Sequence, residues 1–110
     1  MPTELIQPGE PVKLFDANAV AAPVNGAEFA LPTTFAKYLS WTTFFASAPT
    51  AVSVTLEISN DKVVWNTLDT TTALGGETRT ISPTAAAFIR ARKASQPDGG
   101  ALTVTLVMSY

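Results

Sequence analysis

Two stretches of this chain alternate apolar and polar residues so regularly that they constrain the fold before anything else does. In Ala51–Ser59, Val52, Val54, Leu56 and Ile58 fall on one side, and Ser53, Thr55, Glu57 and Ser59 on the other. In Ala101–Ser109, Leu102, Val104, Leu106 and Met108 oppose Ala101, Thr103, Thr105 and Ser109, with Val107 the one apolar residue on the second side. A period of two places one set on each face of a strand, which predicts a buried face and a wet one. The β-branched residues in both runs lose rotamer freedom in a helix and pack well on a pleated surface.

Weaker runs follow the same logic at Pro11–Phe15, Tyr38–Phe45, Val63–Leu68, Glu77–Ile81 and Ala87–Ala94. Turn-forming residues separate them at Asn25-Gly26, Asn60-Asp61-Lys62, Gly75-Gly76 and Pro97-Asp98-Gly99-Gly100. These residues tolerate positive φ or pre-set a turn, so the breaks have a mechanism. Asn60–Lys62 and Gln96–Gly100 are expected to be hairpin connections between antiparallel neighbours. Residues 16–36 are expected to form a long connection with one short strand near Glu28–Leu31. The expected fold is all-β: a single antiparallel β-sandwich, jelly-roll-like, of about seven to eight strands. Residues 1–11, with Pro2, Pro8 and Pro11, are expected to be an extended N-terminal arm ahead of a sandwich domain at 12–110. That arm is either a frayed end or a segment crossing onto a neighbouring subunit.

A length of 110 residues fits one domain with one core. The absence of cysteine excludes disulfides and thiolate metal sites, and the absence of histidine removes the usual general base and metal ligand. The nine acidic residues are scattered, and no nucleophile elbow, phosphate loop or calcium loop is present. The chain is expected not to be an enzyme and to need no cofactor or metal. A formal net charge of −2 gives no steering toward nucleic acid or an anionic membrane. The N-terminus has no signal-peptide pattern, and no apolar run reaches the length of a spanning helix. The product is expected to be soluble and cytoplasmic where it is made. With 15% charged and 46% hydrophobic residues, the composition suits a protein that covers much of its surface with neighbours.

Four residues are candidate partner contacts. Arg90 and Arg92 lie two apart on one strand face, opposite Ile89 and Ala91, a spacing that suits carboxylate or phosphate binding. The plainer reading is a solvated face paired with Glu57 or Glu77. The consecutive rings Phe44 and Phe45 must point to opposite faces, so one of them leaves the core. Trp41 and Trp65 are expected to pack rather than to serve as sugar-stacking platforms.

The segments VTLEISNDKVVWNTL (54–68) and AFIRARKASQPDGGALTVTLVM (87–108) together resemble hairpins of small β-sandwich proteins of tailed bacteriophages, of the capsid decoration, cement or head-fibre type. The resemblance rests on Asp61 and Trp65 in the first, and on Phe88, Arg90 and Arg92 in the second. Lys62 departs from it by standing where a turn glycine is usual. Lys93 departs where an apolar residue is typical, which is expected to mark the strand end. The resemblance implies a virion structural protein: a decoration or cement subunit on the capsid surface, contacting the major capsid protein and its own copies in a homotrimer. The alternative it leaves open is a carbohydrate-binding or tail-accessory module in a host-recognition apparatus.

Overall fold

The strands Ser53–Ser59, Thr78–Ile81, Phe88–Ser95 and Leu102–Ser109 each begin or end within two residues of one of the turn clusters above. The computed structural model describes residues 4–7, 9–32, 38–82 and 86–109. They form ten strands: β1 (Glu4–Leu5), β2 (Val12–Asn18), β3 (Val24–Asn25), β4 (Phe29–Ala30), β5 (Tyr38–Phe45), β6 (Ser53–Ser59), β7 (Asn66–Thr71), β8 (Thr78–Ile81), β9 (Phe88–Ser95) and β10 (Leu102–Ser109). No helix occurs among the described residues. The seven longer strands answer to the seven runs of the sequence; β1, β3 and β4 are two-residue additions.

The strands make two packed sheets. One has the order β2-β10-β5-β8; the other has the order β1-β4-β9-β6-β7, with β3 also pairing with β9. All pairings are antiparallel except that of β1 with β4. From β2 onward the chain crosses between sheets at every connection except those within β3-β4 and β6-β7, which gives the jelly-roll-like order of a double sheet. The chain is therefore a single β-sandwich.

The alternation of the sequence decides what lies between the sheets. Leu102, Val104, Leu106 and Met108 of β10 and Val54 and Leu56 of β6 are buried, together with Leu39 and Trp41 of β5 and Ile89 and Ala91 of β9. Burial of this kind supplies the main favourable term in folding, on the order of 1.5–3 kcal/mol for each large side chain. The face of β6 expected to be wet is only half so: Glu57 is partly exposed, but Thr55 and Ser59 are buried.

Several local expectations need correction. Gln96–Gly100 is not a hairpin, because β9 and β10 belong to different sheets and the segment arches over the end of the sandwich. Val63 and Val64 are not in a strand. The Asp61 carboxylate accepts their backbone N–H groups at 2.8 and 2.9 Å, which takes those donors from the ladder and delays β7 to Asn66. Lys93 does not end β9, which continues to Ser95 with Lys93 pointing inward. Within the expected arm, the stretch Glu4–Ile6 is docked on the sandwich: β1 pairs with β4, the Ile6 N–H donates to Ala30 O, and Ile6 is fully buried. Residues 1–3 and Pro8 of that arm, and residues 33–36 of the expected long connection, lie outside the described residues.

Candidate functional site

The two broad outer faces of the sandwich differ in chemistry, and this difference organises the surface. On β9 and β6, cross-strand registry sets Arg90 beside Glu57, Arg92 beside Thr55 and Phe88 beside Ser59. Arg90 Nε donates to Glu57 Oε1 at 2.9 Å, and its Nη1 lies 3.9 Å from Glu28 Oε2. The same guanidinium covers the Trp65 ring at 4.1 Å from its centre, and the Lys62 ammonium sits 4.7 Å from that of Phe88. Arg92 Nη1 donates to Asn25 Oδ1 at 3.0 Å. This face is charged, and its charges largely satisfy one another. Both cation–π contacts and the Arg90 pair consume the groups that an external anion would need.

The opposite face is built by β2, β10, β5 and β8, and its charges lie on the β2 margin. Outward residues are Thr103, Thr105, Val107 and Ser109 on β10, then Tyr38, Ser40, Thr42 and Phe44 on β5, then Thr78 and Thr80 on β8. None of these carries a charge. Thr42 and Thr78 hydroxyls bond across strands at 2.9 Å, and the Thr103 hydroxyl accepts the Ala17 N–H at 3.0 Å. Phe44 stands out of this carpet with 60% of its surface exposed. The ion pair Lys13–Asp16 marks its β2 border.

The four candidate contacts therefore do not form one site. Arg90 and Arg92 lie on the charged face, Phe44 on the hydroxyl face, and Phe45 in the core at 7% exposure. Phe45 has no surface to offer a partner. Trp41 is 1% exposed, and Trp65 is partly buried beneath Arg90.

Sequence reasoning missed an ionic cluster that closes the β7/β8 edge. Trp41 Nε1 donates to Asp69 Oδ2 at 2.9 Å, and Arg79 grips the same carboxylate through Nε (2.8 Å) and Nη2 (3.1 Å). Arg79 Nη1 also reaches Glu77 Oε1 at 3.3 Å, and the Thr71 hydroxyl donates to that oxygen. Burial alone would push the Asp69 carboxyl up. Hydrogen bonds from Arg79, Trp41 and the Thr70 N–H, with the Arg79 charge, outweigh it and hold Asp69 below the usual carboxylate value. The available signal was positional: Asp69 and Arg79 fall at the inward phase of two edge strands, where a charge needs a partner.

A second buried polar group lies at the end of the sandwich. Lys93 is 2% exposed, and its ammonium donates to Asn18 O (3.1 Å), Asn18 Oδ1 (3.0 Å) and Val20 O (2.9 Å). Burial pulls this ammonium below the ordinary lysine value. It borders a cleft of about 230 Å³ between Ala19–Ala21 and the Gln96–Ala101 arch. Gln96 Nε2 is held by Asp98 O and Gly100 O, and its Oε1 is buried without a hydrogen-bond partner among the described residues. The three ammonium hydrogens are committed and the amide oxygen is sealed, so the cleft presents chiefly backbone and small apolar side chains. No cluster of metal-ligating residues occurs among the described residues.

No known family model matches the chain, and no curated protein is similar to it in sequence. The fold does have a counterpart among solved structures. The crystal structure of the SPBc2 prophage-derived protein YomS superimposes with a TM-score of 0.63 at 13% identity, covering 91% of this chain and 94% of that one. The match spans nearly the whole of both chains, so the sandwich described above is similar to that of a prophage-derived protein.

Proposed function

We propose that this chain is a structural protein of a bacteriophage particle, non-enzymatic, that decorates the head by binding the major capsid protein and its own copies. The observation that carries this reading is the end-to-end likeness of its fold to a prophage-derived protein, joined to a surface whose chemistry suits contact more than turnover. The hydroxyl-rich part of the sheet face, over β10, β5 and β8, can meet neighbours in a lattice without charge repulsion, and repeated placement lets modest contacts add up. The carbohydrate-binding alternative has lost its strongest platforms, since Trp41 is inside the core and one face of Trp65 is occupied by Arg90.

Co-sedimentation with undecorated heads tests the proposal. Purified protein is mixed with heads that lack decoration and pelleted at increasing concentration. Saturable binding with a fixed stoichiometry per capsid lattice unit is expected. Absence of protein from the pellet at saturating concentration would rule out the decoration role.

A further inference from the structure

The dipeptide Asn25-Gly26 carries a chemistry of its own, independent of assembly. Glycine has no Cβ to shield its amide nitrogen, and that nitrogen can close a five-membered ring on the preceding side-chain carbonyl carbon. In a free chain such a pair reacts without an enzyme. The Gly26 nitrogen attacks Asn25 Cγ; the N–Cγ bond forms, the Cγ–Nδ2 bond breaks, and ammonia leaves carrying the proton of the Gly26 amide. Water then opens the cyclic imide at either carbonyl. One opening gives aspartate; the other gives isoaspartate, in which the main chain runs through Cβ and Cγ.

The fold ties both reacting groups to one neighbouring strand. Asn25 is opposite Arg92 in the β3–β9 ladder, and its Oδ1 accepts from Arg92 Nη1 at 3.0 Å. The Gly26 N–H donates to Ala91 O at 2.8 Å. The nucleophile is therefore held by Ala91 and the electrophile by Arg92, consecutive residues of β9. Cyclisation needs the Gly26 nitrogen to lose its proton and turn toward Cγ, so the bond to Ala91 O must break first. The turn is obstructed as well: Leu14 O and Ala91 O stand where a Cβ on Gly26 would lie, and the Ala27 N–H is bonded to Leu14 O. The guanidinium on Oδ1 polarises the carbonyl toward attack, but with the nitrogen engaged there is nothing to attack it.

We infer that Asn25-Gly26 is a spontaneous modification site that the β3–β9 pairing holds closed, and that it reacts when β3 lifts from the sandwich. β3 is two residues long and Asn25 is exposed, so lifting it breaks few contacts and admits the water that opens the imide. The two products differ in what they do to the strand. Isoaspartate lengthens the main chain by one carbon beside Gly26, where two strand carbonyls leave no room for an added atom, so β3 cannot reseat. Aspartate keeps the main-chain length and sets a carboxylate against Arg92, which strengthens the contact.

The experiment follows the Asn25 amide by peptide mapping and mass spectrometry in the full chain, incubated at mildly alkaline pH either folded in buffer or unfolded in urea. In urea, Asn25 is expected to react faster than Asn18, Asn60 and Asn66, none of which precedes a glycine. In buffer, its loss is expected to be at least about tenfold slower than in urea. Val24 packs against the core and anchors β3, so Val24→Ala is expected to speed the loss severalfold in buffer and to leave the rate in urea unchanged. The isoaspartate form, separated by chromatography, is expected to melt below wild type, whereas Asn25→Asp is expected to melt at or above it. Equal rates in buffer and urea, a folded rate unmoved by Val24→Ala, or an isoaspartate form that melts with wild type would overturn the inference.

Discussion

Trp41 and Asp69 meet across the gap between the two sheets: the indole N–H of a residue that is 1% exposed donates to a carboxylate on the edge strand of the opposite sheet, at 2.9 Å. Asp69 is opposite Leu56 in the β6–β7 ladder, so it points inward at a place where only a polar partner from the other sheet can satisfy it. Trp41 and Arg79 are themselves cross-strand neighbours on β5 and β8, and both turn toward it. Asp69→Ala is expected to destabilise the protein by about 1–3 kcal/mol through the orphaned, buried indole N–H alone. Urea unfolding followed by tryptophan emission measures this, and a Trp41→Phe, Asp69→Ala cycle isolates the pair.

Acid should find the same residue. The Asp69 carboxyl is held below its usual value when folded, so it contributes stability that is fully present above the unfolded carboxylate value of about 3.9 and is lost as pH falls through the folded one. Asp61 and Asp98 are lowered in the same direction, by backbone N–H groups of Val64 and Val63 and of Thr50 respectively. Stability measured from pH 6 down to pH 2 is expected to fall with a slope that Asp69→Asn flattens. An unchanged slope in the variant would show that Asp69 does not titrate differently on folding.

Truncation tests how much of the N-terminal segment belongs to the sandwich. Ile6 is fully buried and its N–H is bonded to Ala30 O. Ile6→Ala should cost about 2–4 kcal/mol by the lost burial and the cavity left behind, and deletion of residues 1–6 should cost at least as much. Thermal unfolding of both variants measures it; a deletion that melts with wild type would return this segment to the status of an arm.

The strand pattern was legible because period-two alternation is a local property, and Leu102–Met108 and Val54–Leu56 are buried where it placed them. What the alternation could not carry was which sheet a strand joins. A Pro-Asp-Gly-Gly segment makes a hairpin or an inter-sheet arch with the same residues, and only the pairing of β10 with β2 and β5 decides for the arch. Phe44 and Phe45 separated as their adjacency requires. Arg90 and Arg92 were correctly placed on one face, but the Trp65 ring beneath Arg90 comes from the β6–β7 loop, twenty-five positions away in the chain, and no spacing rule reaches that far. Lys93 was misread because an inward lysine breaks the pattern; its acceptors, Asn18 and Val20, lie in a distant connection.

Lys93 ties that connection to β9. Lys93→Met keeps most of the side-chain volume but leaves Asn18 O, Asn18 Oδ1 and Val20 O without their donor, and should cost about 1–3 kcal/mol. Because burial lowers the folded-state value of the ammonium, wild type should gain on the variant as pH rises from that value toward the unfolded lysine value of about 10.4. Amide exchange at residues 19–21 is expected to quicken in the variant, and unaltered exchange there would mean that the ammonium does not hold the loop.

Asp61 organises the β6–β7 loop in a different way. Its carboxylate gathers the N–H groups of Val63 and Val64 and the Ser59 hydroxyl, while Ser59 Oγ accepts from the N–H groups of Asp61 and Lys62. Lys62 sits in the left-handed region at φ 64°, a conformation unfavourable for a side chain with a Cβ. The loop thus presents Val63 and Val64, 80% and 60% exposed, on a frame held by side-chain acceptors. Asp61→Ala should speed elastase cleavage at these valines severalfold, with a smaller loss of global stability than Asp69→Ala. Equal cleavage rates in the two proteins would show that the loop holds its shape without the carboxylate.

Gly26 illustrates how a turn signal can have a packing cause. Its N–H donates to Ala91 O at 2.8 Å, and the next residue's N–H reaches Leu14 O at 3.0 Å, so the chain here bridges the two sheets. A Cβ at this position would run into Leu14 O and crowd Ala91 O, both backbone atoms fixed in strands. The glycine is needed for close approach and not for a reversal of the chain. Gly26→Ala should therefore destabilise by about 1–3 kcal/mol through forced backbone displacement, although alanine would otherwise stabilise by restricting the unfolded chain. Gly75→Ala is the control, since a Cβ there meets nothing within 4 Å. Calorimetry of the two variants distinguishes them: a loss at residue 26 with little change at residue 75 is expected, and equal melting temperatures would remove the close-approach explanation.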